Sequence, residues 1–250
     1  QGVKLIGVLT YDAQAVQRLS RCGAVAVLAD ALRSRADDRD FVYDAILGLA
    51  NLVTLDENAA AFRHDEKRLD ALGDVLERHG ADDEEIATFA LKALVRLAAD
   101  DGISKAIAEL VGKVARAAPD LAEKPQTLAF ELIAHLAYVP ENRVALVAQG
   151  GVRALLLALE GPSTASVLER ALKTLDVLVA ADVEYASVVL ELNGRAAVER
   201  HVHETTRSVA DMARRALETI DAVVGHQPRG QRAALRGLGM ASGNNSRRAS

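Results

Sequence analysis

The amino-acid sequence predicts an all-α fold assembled from a repeated helical unit, and three observations lead there. Apolar residues recur at the three-and-four spacing of an amphipathic helix, as in RVALVA, GVRALLLAL and VLERALKTLDVLVA, and no segment alternates convincingly as a half-buried strand does. Half of the residues are apolar, yet only 3% are aromatic and none is Trp. A core of Ala, Leu and Val suits close helix packing better than a sandwich or barrel. Finally, the apolar residues Leu9, Leu52, Leu97, Leu136, Leu178 and Ile220, each closing a helical segment, are separated by 43, 45, 39, 42 and 42 residues. Such a period marks units that bury their faces only against their neighbours.

The clearest unit is Glu141 to Ala181, which reads as three helices in a row. Gly150 and Gly151 separate the first from the second, because glycine supplies the left-handed backbone that ends a helix. Gly161, Pro162 and Ser163 separate the second from the third, a stop followed by a cap. Asn142, an apolar helix, Gly-Gly-Val, a Leu-rich helix and a third helix ending in Leu-x-x-Leu together resemble one armadillo repeat. The resemblance implies a right-handed superhelical solenoid. The family's usual Pro after the Gly-Gly-apolar turn is absent throughout, which leaves a HEAT-type helix geometry open.

Taken in order, residues 1–11 resemble the end of a truncated repeat, and a chain that opens inside a helix with Gln1 reads as a fragment or processed product. Five repeats follow, near 12–56, 57–101, 102–140, 141–183 and 184–226, forming one repeat domain over 1–226. The first carries Cys22-Gly23-Ala24-Val25 at its turn and DFVYDAILGLANLV as its third helix. The second has Arg68 where the turn glycine belongs. The third is the shortest and most degenerate, with Pro125 placed where a first helical turn accepts it. The last has Asn193-Gly194 at its turn. Glu57-Asn58 and Glu141-Asn142 open two repeats and lie 84 residues apart, two periods.

Residues 227–250 differ in composition. This tail has five Arg, no acid and several Gly and Ser, so the overall net charge of −5 leaves −10 on the helical body. A net acidic body disfavours a phosphate backbone as partner, so nucleic acid is not expected. No apolar run reaches the length of a membrane span, and no signal peptide is evident. The single Cys22 cannot form an intrachain disulfide, which fits a reducing, cytoplasmic setting, with nuclear or cytoskeletal association as variants.

Sites of chemistry are sparse. No phosphate-cradling loop or nucleophile elbow occurs. His201 and His203 stand two apart and so point to different helix faces, unlike a metal pair at three or four. His64 and His79 read as solvated, and Cys22 as a small buried filler. The acidic clusters at 37–40, 82–85 and 100–101 fall where helices start, where carboxylates stabilise the macrodipole. No catalysis, cofactor or metal is expected. Arg247-Arg248-Ala249-Ser250 matches a basophilic kinase pattern, which makes Ser250 a candidate phosphosite.

In peptide-binding armadillo proteins the third helices line a groove, and the resemblance assigns two rows of positions here. The first row is Val8, Asn51, Arg96, His135, Val177 and Thr219; only Asn51 keeps the family's backbone-binding Asn. The second is Lys4, Leu47, Lys92, Glu131, Lys173 and Arg215, where import receptors place Trp. Without the Asn ladder and aromatic slots, a reader of basic import signals is disfavoured. Lys4, Lys92, Arg96, Lys173 and Arg215 against Glu131 make a basic strip. The implied function is a non-catalytic scaffold or adaptor holding a protein partner, an extended acidic segment fitting best. The alternatives are a co-chaperone-like regulator clasping a folded domain and a structural part of a cytoskeletal or ciliary assembly.

Overall fold

The computed structural model describes residues 2–63 and 65–225, which form helices and turns with no strand among them. His64, the tail from 227 to 250 and the candidate phosphosite Ser250 lie outside the described residues. The chain divides into two compact units, Gln1–Leu136 and Ala137–Ser250.

In the first unit, α1 (Gly2–Leu9) is followed by α2 (Ala13–Arg21), α3 (Ala24–Ser34) and α4 (Arg39–Leu52). A 3-10 helix (Asp56–Ala61), α5 (Glu66–His79) and α6 (Glu84–Leu97) form the next repeat. Arg68, at the place of the missing turn glycine, lies inside α5, so a 3-10 turn stands in for the first helix. The degenerate third repeat has one long helix, α7 (Asp101–Ala117), and then α8 (Glu123–Ala137), with Pro125 in its first turn.

Helix starts are set by carboxylates. Asp12, Asp38, Asp83 and Asp100 accept backbone N–H groups at the starts of α2, α4, α6 and α7, satisfying donors that the helix itself leaves open. This is what the clusters at 37–40, 82–85 and 100–101 do. The third helices form one packed layer, α1 against α4 and α4 against α6. Ile46, Leu49 and Leu52 of α4 and Ile86, Leu91 and Leu94 of α6 are completely buried in it.

The second unit holds α9 (Arg143–Ala148), α10 (Gly151–Glu160) and α11 (Ala165–Ala181), then α12 (Val183–Glu191), α13 (Gly194–Glu199) and α14 (Arg207–Gly225). α11 and α14 pack along each other. The turns between first and second helices need a left-handed residue, and the sequence supplies one at Gly23 (φ 73°), Gly150 (φ 81°) and Asn193 (φ 59°).

Two expectations are corrected. Cys22 is exposed rather than a buried filler, because α2 ends at Arg21 and the chain has left the apolar stripe of Val16 and Leu19. His79 is not simply solvated. It ends α5 against the end of α3, and its Nε2 lies 2.7 Å from the Ala36 carbonyl oxygen. In the second unit His201 is buried with Nε2 2.8 Å from the Leu159 carbonyl, whereas His203 is exposed.

Polar contacts at one-repeat separation tie neighbouring helices. In the first unit Asp30 pairs with Arg68 (3.0 Å), Asp74 with Lys113 (2.7 Å) and Glu77 with Arg116 (2.7 Å), joining α3 to α5 and α5 to α7. Each exposed pair contributes about 0.2–1 kcal/mol.

Candidate partner-binding face of the third helices

In the first unit the third helices carry seven of the predicted positions. Lys4 on α1, Lys92 and Arg96 on α6 and His135 on α8 are exposed, and Glu131 on α8 is half-buried. Lys92 and Arg96 stand one turn apart on the same face of α6, and neither has an ion pair among the described residues. The Lys92 ammonium lies 5.7 Å from the Phe89 ring centroid, a distance that permits cation–π attraction.

Two of the seven do other work. Leu47 is 6% exposed, because α4 is packed between α1 and α6 and turns this position into the core; a partner cannot touch it there. The Asn51 amide donates to Thr10 Oγ1 at 3.0 Å, and that hydroxyl donates to the Gly7 carbonyl at 2.7 Å. Asn51 therefore ties α4 to the end of α1.

Sequence reasoning missed an aromatic pair beside this strip. Tyr43 and Phe89 meet edge to face with ring centroids 6.1 Å apart. Burial pushes the Tyr43 hydroxyl pKa above its ordinary value, and the nearby Glu85 carboxylate adds to the effect. Both rings lie within one turn of the second-row positions Leu47 and Lys92, so helical spacing was the available signal.

In the second unit Lys173 on α11 and Arg215 on α14 are exposed. Lys173 has no ion pair among the described residues, but Arg215 Nε is 2.9 Å from Asp176, which also accepts the Thr219 hydroxyl. Arg215 thus joins α14 to α11, and its charge is already countered.

Among the described residues no group of three His, Cys, Asp or Glu side chains could hold a metal. No single described helix is long and apolar enough to cross a membrane.

No family model matches the sequence, and no curated protein matches it. Solved structures do match its fold. A designed armadillo repeat protein in complex with the peptide (KR)4 superposes with a TM-score of 0.70 at 19% identity, covering 87% of this chain and 91% of that one. Computationally designed armadillo repeat proteins for modular peptide recognition give 0.68 at 20% identity, again covering 87% and 91%. An engineered protein gives 0.68 at 23% identity, covering 88% and 89%. The chain therefore has the all-α armadillo repeat fold.

Proposed function

We propose that this protein is a non-catalytic scaffold that holds an extended acidic segment of a partner protein against its third helices. The reading rests chiefly on Lys92 and Arg96, two exposed cations one turn apart with no ion pair among the described residues, beside the Tyr43–Phe89 pair. Lys4 adds a further exposed cation in the same unit, and the second unit has its own in Lys173. The designed protein of this fold holds a basic (KR)4 peptide. Here Lys4, Lys92, Arg96 and Lys173 are exposed on third helices, so like-charge repulsion works against a basic peptide and attraction favours an acidic one. The carboxylates of such a segment would set its preference, since Asn51, the one Asn in the row, is engaged with Thr10.

Fluorescence anisotropy with a labelled (DE)4 peptide and a labelled (KR)4 peptide tests the reading. Saturable binding of the acidic peptide, weakening with added salt, supports it. Binding of (KR)4 in preference to (DE)4 overturns it.

A further inference from the structure

The third helices of the first unit repeat in register, and the register sorts the exposed apolar side chains of α1 into two kinds. Leu5 and Leu9 fall where α4 has Gly48 and Leu52 and α6 has Ala93 and Leu97, counting 43 and then 45 residues along the chain. All four of those residues are buried, so Leu5 and Leu9 stand at positions that serve helix stacking. Val8 and Tyr11 do not. Their counterparts are Asn51 and Thr54 at the end of α4 and Arg96 and Ala99 at the end of α6, of which Asn51 is half-buried and the others are exposed. Val8 itself is 60% exposed and Tyr11 73%. The Tyr11 backbone N–H donates to the Val8 carbonyl at 3.3 Å, carrying the turn on past Leu9, and residues three apart in such a turn are neighbours.

An exposed apolar pair at positions that are polar or small on the next two third helices marks a contact surface. α4 is packed between α1 and α6, and helices packed side by side lie about 8–10 Å apart. Val8 and Arg96 occupy the same register position, so they stand about 16–20 Å apart, which an extended chain at about 3.3 Å per residue covers in about five or six residues. Between them the α4 positions are taken, Asn51 by Thr10 and Leu47 by the core, so recognition falls to the two ends of the span. Lys4 stands one turn before Val8 on α1, which disfavours a basic residue beside an apolar one there. Burial is the main cause of the raised Tyr43 hydroxyl pKa, and Glu85 and Tyr11 add to it, which puts the Tyr11 phenol within electrostatic reach of the Tyr43–Phe89 pair.

We infer that Val8 and Tyr11 form an apolar seat, and that the partner segment held by Lys92 and Arg96 carries a large apolar residue about five or six positions from its carboxylates. The inference rests on the acidic-segment reading proposed above and adds a second point of contact to it. One large aliphatic side chain covers Val8 and meets the Tyr11 ring, the intervening residues cross α4 extended, and the acids reach Lys92 and Arg96. Apolar burial supplies affinity that salt does not screen, whereas the cations supply the preference for acid and its salt dependence. The spacing between anchor and acids is what sets this partner apart from any other acidic chain.

Fluorescence anisotropy of three labelled peptides on the full 250-residue chain separates the two contacts. LGSGSGDEDE sets its Leu at the required distance from the acids, GGSGSGDEDE lacks the anchor, and LGDEDEGSGS holds the same residues as the first with that distance cut short. The first is expected to bind about fivefold more tightly than the other two, as half-burial of one Leu side chain allows. V8S/Y11S, at two exposed positions, is expected to lower its affinity to theirs while leaving theirs unchanged, with urea midpoints matching the parent; K92E/R96E is expected to weaken all three. Equal affinity of the first peptide and either of the others overturns the inference and leaves the acidic-segment reading in place. A gain from Leu that V8S/Y11S leaves intact puts the anchor elsewhere and overturns it as well. If no peptide binds, or K92E/R96E weakens none of them, the acidic-segment reading fails and the inference falls with it.

Discussion

The side-chain amide of Asn58 donates to the main-chain carbonyl of Leu52 at 2.7 Å, closing the end of α4 from the first residues of the next repeat. Asn58 is buried and also accepts the Ser20 hydroxyl at 2.6 Å, so one side chain holds parts of two repeats. N58A would leave the Leu52 carbonyl without this donor, and the expected cost is about 1–3 kcal/mol in chemical denaturation. A midpoint unchanged from the parent would show that water serves the carbonyl equally well.

His79 and His201 make the same contact in different units, each giving its Nε2 proton to a carbonyl near the end of the preceding repeat's second helix. A carbonyl can only accept, so Nε2 carries the proton in both. H201L should destabilise by about 1–3 kcal/mol, because the Leu159 acceptor is buried there. H79L, half-exposed, should cost less. Thermal melts of the two variants check the order.

Gly194 follows the left-handed Asn193, and a Cβ on it would lie 2.6 Å from Val189 Cγ1 and 2.8 Å from the Val189 carbonyl oxygen. The backbone oxygen cannot rotate away as a side chain can. G194A should therefore cost about 1–3 kcal/mol, the range for overpacking, measured by urea denaturation.

Acid should weaken two ion pairs of the first unit. The Arg68 guanidinium bonded to Asp30, and the Arg63 guanidinium bonded to Asp100, each hold the carboxyl pKa below the ordinary aspartate value, against the opposing effect of burial. Groups with a depressed native pKa stabilise the fold above the unfolded value, and that contribution is lost as pH falls through the lowered one. Stability should thus decline below about pH 4. The gap between the parent and R63Q or R68Q should narrow over the same range, as read from urea midpoints at neutral and acid pH.

Much of the fold was legible because its signals are local. The spacing of Leu52, Leu97, Leu136, Leu178 and Ile220 reports helices that bury the same face, although Leu9, in the same series, is exposed, and Gly23, Gly150 and Asn193 are needed by the backbone itself. The site was less legible because exposure depends on what a neighbouring helix covers. Leu47 occupies the same row as Lys92 but is enclosed by α1 and α6, and Arg215 meets Asp176 only because α11 and α14 pack side by side. Cys22 and His79 were misjudged for the same reason, one left outside the core and the other drawn against a neighbouring helix end.

The most direct measurement of the central claim is titration of the (DE)4 peptide into the parent chain and into K92E/R96E at several salt concentrations. Two exposed interactions at roughly 0.2–1 kcal/mol each, together with the repulsion that reversal introduces, should remove about 1–2 kcal/mol of binding, roughly a five- to thirtyfold loss of affinity. Added salt should weaken the parent more than the variant, and urea midpoints should change little, since exposed substitutions usually shift stability by about 0.5 kcal/mol or less. Arg215 is left unaltered because R215E would set a second carboxylate beside Asp176. Equal affinity of parent and K92E/R96E for the acidic peptide, with both folded, would contradict the account.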